Sequence, residues 1–345
     1  MSFRFGISLF CLLLSASLAA SARPRPRYAV PGAEKPVALL SAGRATYLVT
    51  EHSVFQFDGQ HFVRRQQISQ RVQCAAVADT VLWLGTRTGL FGVSTRTGRR
   101  HPLLLPSTEA APSITALFQD AEGNLWVGAN GAGVFRWSHG VFVPELNTPA
   151  INGGVATADS SVWIATSIGL SRKQSGSWTR YNEEGVANHE IPDNVVEKLL
   201  PDNAGNLWVL MSDAICVFEG SQRAAAEAEL PTVKFIGRPG NEVSGVAAVP
   251  HVGRLFATTQ GLLLLPNGPT TLLTGPAPAT DKIEPRRLLV PLPPLPGAGN
   301  PVLLAVDKRQ RLWLADPNGV SVLSPKQFYR FVQSSRAAAG ASAKR

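Results

Sequence analysis

The stretch Asp120-Ala-Glu-Gly-Asn-Leu-Trp-Val-Gly128 returns as Asp202-Asn-Ala-Gly-Asn-Leu-Trp-Val209. It returns again, with only its ends intact, as Asp307-Lys-Arg-Gln-Arg-Leu-Trp-Leu314. Anchoring on the aromatic gives seven copies, at Tyr47, Trp83, Trp126, Trp163, Trp208, Phe256 and Trp313, spaced by 36 to 57 residues. Each copy is long enough for four short strands and too short to fold alone. A recurring unit with an aromatic at one strand position is the mark of a β-propeller. The expectation is an all-β chain: a seven-bladed β-propeller of four-stranded antiparallel blades over residues 37–332.

The turn chemistry agrees. Asp120 and Asp202 end the first strand of their copies, where a carboxylate can accept backbone N–H groups of the turn. Gly123 and Gly205 supply the positive φ that a tight hairpin requires. The Trp that follows sits on the second strand, where its large apolar area is best used against the next blade. Around these anchors the chain reads as runs of four to six residues that alternate or are wholly apolar and end in Gly, Asn, Asp or Pro. Repeat three is the clearest, with runs at 114–119, 125–129, 133–137 and 140–144. No stretch shows sustained helical periodicity. Residues 23–36, with Arg23-Pro-Arg-Pro-Arg27, are expected as an extended lead-in, residues 276–301 as a proline-rich insertion, and residues 333–345 as a disordered tail.

Composition places this fold outside the cytoplasm. Among 345 residues there are 31 Gly and 26 Pro, and only 17% are charged, as many short strands with tight turns require. Residues 1–22 read as a signal peptide: a cationic start with Arg4, an apolar run from Phe5 to Leu18, and small residues Ala20-Ser-Ala22 at the cleavage position. The mature chain is then expected in the periplasm or medium, without a membrane span. Net charge is +9, but the basic residues are scattered and no nucleic-acid motif accompanies them, so nucleic acid is not an expected partner. After maturation only Cys74 and Cys216 remain. They fall in repeats two and five, too far around a ring for a disulfide, and are expected as buried thiols.

The strongest copies, residues 114–135 and 191–208, resemble the two-component regulator propeller repeat, roughly Val-x-x-Ile-x-x-Asp-x-x-Gly-Asn-Leu-Trp-Ile-Gly-Thr-x-x-Gly-Leu. Trp83-Leu-Gly-Thr-x-x-Gly89-Leu and Trp163-Ile-Ala-Thr-x-x-Gly169-Leu match its second half. The resemblance implies an extracytoplasmic sensor module that binds a glycan, a peptide or an envelope protein and reports to a signalling kinase, here encoded elsewhere. The sequence departs from the family in carrying one propeller and no kinase or DNA-binding segment along its length.

No catalytic signature is present. Asp-x-x-Gly-Asn lacks the alternating acids of a calcium loop. Its Gly and Trp offsets, three and six, differ from the two and five of sialidase-type Asp boxes. The six histidines lie at 52, 61, 101, 139, 189 and 251, without metal-ligand spacing. Neither a metal nor a cofactor is expected. The functional expectation is a non-catalytic, ligand-binding module. The alternative is a propeller enzyme of lyase or glycan-modifying type, its site on the axis. In either case the loops joining second to third strands gather at one channel mouth with the inter-blade loops, including the long ones at 182–194 and 275–300. The candidate ligand-binding residues on that face are Arg87, Asn130, Asp213, Gln260 and Asn318.

Overall fold

The computed structural model describes residues 27–42, 45–106, 111–183, 191–211, 215–218, 232–233, 242–267, 290–295 and 297–342, with residues 232–233 and 336–342 described by backbone alone. Among them are seven four-stranded sheets, each an antiparallel meander and each a blade of one ring. Blades 1 to 6 occupy residues 36–67, 72–103, 114–146, 151–181, 196–233 and 243–292. Blade 7 takes its first three strands from residues 303–323 and its fourth from β1, Arg27–Ala29. The inner strands run from a mouth face, which carries the second-to-third turns, to a hairpin face, which carries the first-to-second turns.

The core is a set of wedges between blades. The second strands are buried over most or, as in β11 (Leu125–Ala129) and β19 (Leu207–Met211), all of their length, because side chains of both parities meet a neighbouring blade. In six blades the repeat aromatic occupies the same register, three pairs beyond a bulge in the inner strand: Tyr47 opposite Leu40, Trp83 opposite Ala76, Trp126 opposite Phe118, Trp163 opposite Val155, Trp208 opposite Leu200 and Trp313 opposite Ala305. Each packs forward, onto the blade that follows it in the ring.

Blade 6 departs from the expected anchor. The equivalent position there is Leu255, paired with Ala247, and Phe256 pairs with Val246. A shift of one residue turns a side chain to the opposite face of its strand. Leu255 accordingly packs forward onto Leu312 and Leu314 of blade 7, while Phe256 packs backward, edge-on to Trp208 at 5.2 Å between ring centroids.

The ends of the chain also differ from expectation. Part of the expected lead-in is structural, since Arg27, Tyr28 and Ala29 pair with Ser321, Val320 and Gly319. Arg27 clamps the closure through Asp316 at 2.9 Å and the Ser321 hydroxyl at 3.2 Å. A fourth strand drawn from the C-terminal side is thereby displaced. Residues after β28 (Gly319–Leu323) form helix α1, Pro325–Ser342, with Ser324 and Gln327 capping its first turn. Phe328, Phe331 and Val332 bury against blades 6 and 7. An Ala-rich segment is a good helix former once such an apolar face anchors it, so the tail expected at 333–345 is helical as far as Ser342. The fourth strand of blade 6 is β25, Val290–Leu292. Because β25 belongs to blade 6, only residues 293–300 of the expected long mouth loop fall between blade 6 and blade 7. Residues 1–22, expected as a signal peptide, lie outside the described residues.

Candidate functional site

The two faces of the ring are capped differently. On the hairpin face each repeated Asp is a hub. Asp202 accepts from the Ala204 and Asn206 amides and the Asn206 side chain, each at 2.9 Å, and from the Trp208 indole at 3.0 Å. Asp120 holds Glu122, Asn124 and Trp126 in the same way, the indole at 2.7 Å, and Asp307 holds Arg309, Arg311 and Trp313. Thr157 takes the same role toward the Trp163 indole at 3.1 Å. Burial disfavours the charge of Asp307, but the Trp313 indole and the Arg311 amide and guanidinium outweigh it and hold this carboxyl below the usual aspartate range. The Asp-to-Trp offset of six thus has a cause beyond turn capping: one carboxylate fastens the hairpin to the core side chain. Its residues are committed to folding.

On the mouth face the second-to-third turns are capped by buried threonines. Thr50, Thr86, Thr166 and Thr258 each donate to the carbonyl three residues on, at 2.6 to 3.1 Å, and in blade 7 Asp316 accepts the Asn318 amide at 2.8 Å. Four of the expected ligand-binding residues stand on these turns with exposed side chains, Arg87 in blade 2, Asn130 in blade 3, Gln260 in blade 6 and Asn318 in blade 7. They share a face but are spread around its rim, and none of the described contacts joins two of them. Asn130 has a structural duty, accepting the Ile151 amide of blade 4 at 2.8 Å. Asp213 lies outside the described residues.

Nearer the axis the structure assembles a second set of groups. The inner strands of blades 1 to 6 each carry a bulge at their mouth-face end, where the register skips Val37, Gln73, Thr115, Asn152, Glu197 and Ser244. In blade 7 Val302 donates to Ala315, which also pairs with Leu303, so Val302 completes the series. A bulge re-aims a side chain at a strand end. These seven residues are exposed or half-buried, whereas the residue before the bulge is buried in every blade but the sixth. The result is a ring of equivalent positions around the channel opening, five of them polar. Some bridge blades: Asn152 donates to the Val196 carbonyl at 2.8 Å, and Gln73 accepts from Ser113 at 2.9 Å. The buried Thr115 hydroxyl has no hydrogen-bond partner. Beside this ring, a pocket of about 210 Å³ opens between blades 6 and 7, lined by Gln260, Leu262, Leu292, Leu295, Asn300 and Asp316 among others. Asp316 is already engaged there by Arg27, Asn318 and the Gly299 amide.

Other reactive groups are dispersed. Of the described histidines, His52 alone lies on the mouth face; His61, His139 and His251 sit in hairpin-face turns, and His101 is on an outer strand against Trp83. Both cysteines are free thiols, and burial pushes Cys216 up to about 12 and Cys74 higher still. Among the described residues no group of three or more His, Cys, Asp or Glu side chains is placed to hold a metal ion, and no helix is long and apolar enough to cross a membrane.

Residues 109–131, the core of blade 3, match the family model "Two component regulator propeller". No curated protein matches the sequence significantly. Among solved structures, the extracellular domain of the hybrid two component system BT4673 from B. thetaiotaomicron superposes with a TM-score of 0.62 at 17% identity, over 87% of this chain and 39% of that one. This chain thus spans about two fifths of the sensor domain's length. A catalytically inactive form of virginiamycin B lyase from Staphylococcus aureus, with quinupristin, gives 0.63 at 12% identity, over 87% of this chain and 98% of that one. YCF48 bound to D1 peptide gives 0.59 at 11% identity, over 88% and 96%. Identities this low speak to fold alone. With a matching repeat in blade 3 and seven four-stranded blades around one axis, the chain carries a two-component regulator propeller repeat within a single complete ring.

Proposed function

We propose that this chain is an exported, non-catalytic propeller that holds a ligand, a glycan, peptide or envelope protein, at its mouth face, and so serves as a sensor-like binding module. The observation that carries the reading is the bulge ring. Seven side chains re-aimed at the channel opening, five of them polar, give a concave site built from every blade, and the pocket between blades 6 and 7 adds an apolar wall beside it. Arg87, Asn130, Gln260 and Asn318 stand at the rim around that centre. The sensor ectodomains and the peptide-bound propeller among the structural neighbours support such a use of the fold. A shared fold is an analogy for function, and the site must carry the argument.

The test is a screen of the mature protein against glycan and peptide arrays, followed by hydrogen exchange with whatever binds. The expected protection lies at the turns 86–89, 129–133, 258–261 and 316–319 and at the inner-strand bulges. Arg87→Ala is expected to weaken binding while the melting temperature changes little, whereas Asn130→Ala should also lower the melting temperature, because it removes the acceptor of the Ile151 amide. Protection confined to the Asp120 and Asp202 hairpins would sink the assignment. The mature N-terminus is expected near Arg23, in a form recovered without detergent; Met1 found intact on a membrane-bound product would refute export by cleavage.

A further inference from the structure

One inner-strand position breaks the pattern of the ring. Immediately after each bulge six blades place a small or apolar residue: Ala38, Cys74, Ala116, Gly153, Gly245 and Leu303. Blade 5 places Lys198 there. Its strand neighbour Leu200 packs toward blade 6, and alternation puts Lys198 on that same side. The seam it enters is the most open of the seven, because the inner strands of blades 5 and 6 approach each other less than any other adjacent pair. Lys198 is reachable by solvent and makes no hydrogen bond or ion pair among the described residues.

The charges around it come from several blades. Lys35, at the entry to blade 1, stands three blades on around the ring from Lys198 and disfavours its charge. Glu242, at the entry to blade 6, and the adjacent Glu197 act on it as well. Lys35 is likewise exposed and makes no side-chain ion pair among the described residues.

Resting on the reading of the mouth as a binding site, we propose that Lys198, with Lys35 opposite, is the anchor for a carboxylate group carried by the ligand, seated at the head of the seam between blades 5 and 6. Burial, and then Lys35, hold the Lys198 ammonium below the usual lysine range, and Glu242 and Glu197 offset only part of this. A bound carboxylate adds a countercharge beyond those of Glu242 and Glu197 and offsets the repulsion from Lys35. The same two glutamates disfavour a dianion, which makes a singly charged carboxylate a better match than a phosphate. Asn152, bonded to the Val196 carbonyl, and the exposed Val195 flank the position with one amide and one apolar group.

The experiment uses the mature protein with its lysines reductively methylated with a carbon-13 label and followed by NMR. Acetate, galacturonate and N-acetylalanine are titrated in, with galactose and inorganic phosphate as comparisons. The expected result is a saturable shift of the Lys198 and Lys35 signals with the carboxylates, absent at Lys173 and Lys326 and absent with galactose. Galacturonate or N-acetylalanine binding tighter than acetate would tell whether the acid belongs to a sugar or to a peptide end. Lys198→Gln should weaken the effect at least tenfold with an unchanged melting temperature, and Lys198→Arg should retain most of it. If Lys198→Gln does not fold, Lys35→Gln carries the test, with at least threefold weakening expected. Uniform shifts at all lysines, phosphate bound more tightly than every carboxylate, or undiminished binding by Lys198→Gln would each overturn the proposal. A ligand that protects the mouth face yet is indifferent to Lys198→Gln would remove the carboxylate anchor and leave the binding module standing.

Discussion

Replacing Asp202 by alanine should be among the most damaging single changes on the hairpin face. The carboxylate is fully buried and receives four donors at 2.9 to 3.0 Å, with the Arg254 guanidinium a further 3.6 Å away. Alanine strands the Trp208 indole N–H and the Asn206 side chain, both buried. A buried donor left without a partner costs about 1–3 kcal/mol, so the indole and amide bonds lost together predict a loss of about 2–6 kcal/mol. Asp120→Ala removes the same kinds of bond from a half-exposed hub, where water can take over several of them, and should cost about 1–2 kcal/mol. Urea unfolding of both variants, with Trp208→Phe and the Asp202→Ala/Trp208→Phe double variant completing a cycle, isolates the indole contact, whose coupling should be about 1–3 kcal/mol. A loss below about 1 kcal/mol for Asp202→Ala, or additive single changes, would show that the carboxylate serves the turn alone, and that the six-residue spacing has another origin.

The register of blade 6 predicts that Phe256→Ala is coupled to Trp208 substitution by about 0.5–1.5 kcal/mol in a thermal-unfolding cycle, whereas Leu255→Ala is not; the reverse outcome would restore Phe256 as the anchor. Arg27→Ala leaves Asp316 buried with two amide partners and no cation, and a loss of about 1–3 kcal/mol is expected, discounted for the partial exposure of Arg27; an unchanged urea midpoint would refute a closing role. The folded-state pKa values of Asp307, Glu145 and Glu34 are all lowered, so their stabilisation is present above the ordinary carboxylate pKa of about 4 and is lost as pH falls through the depressed values. Asp307→Asn should therefore be less stable than the parent at pH 7 and converge on it in acid; parallel stability curves would contradict this. Native Cys216 should stay unlabelled by a thiol reagent at pH 8 and react in urea, since burial holds it as a neutral thiol, and half-buried Cys74 should react faster than Cys216; rapid native labelling of Cys216 would place it at the surface.

What could be read in advance followed from how strongly each position is constrained. The Asp-x-x-Gly-Asn-x-Trp hairpins were legible because turn, hub and core anchor all depend on that spacing. Phe256 misled because two apolar residues stand side by side and the aromatic one was favoured; Thr258-x-x-Gly261, the same turn that follows Trp83 and Trp163 in their blades, holds the register that points to Leu255. β1 was not legible, since three residues on an outer strand carry too little pattern to distinguish from a linker. The helix was hidden because Ala-rich composition resembles a solvated tail until Phe328 and Phe331 are seen to dock. The bulge ring escaped for a deeper reason. A bulge is the point where alternation fails, so its residue looks like one polar interruption in an apolar run. Only the ring relates the seven interruptions to one another.

The join between β1 and β28 sets an order of events for the folding chain. Arg27 bonds Ser321, 294 positions downstream, so one half of the fastening emerges among the first residues and the other almost last. During synthesis six blades can stack on their predecessors, yet the circle stays open, with the wedge around Trp313 lacking its blade 1 wall and the edge of β28 unpaired. Closing so long a loop carries an entropic cost that no local contact offsets before the last blade arrives. The vulnerable interval for this protein is therefore the moment just before the ring closes, when a nearly finished molecule still presents a bare strand edge to its neighbours.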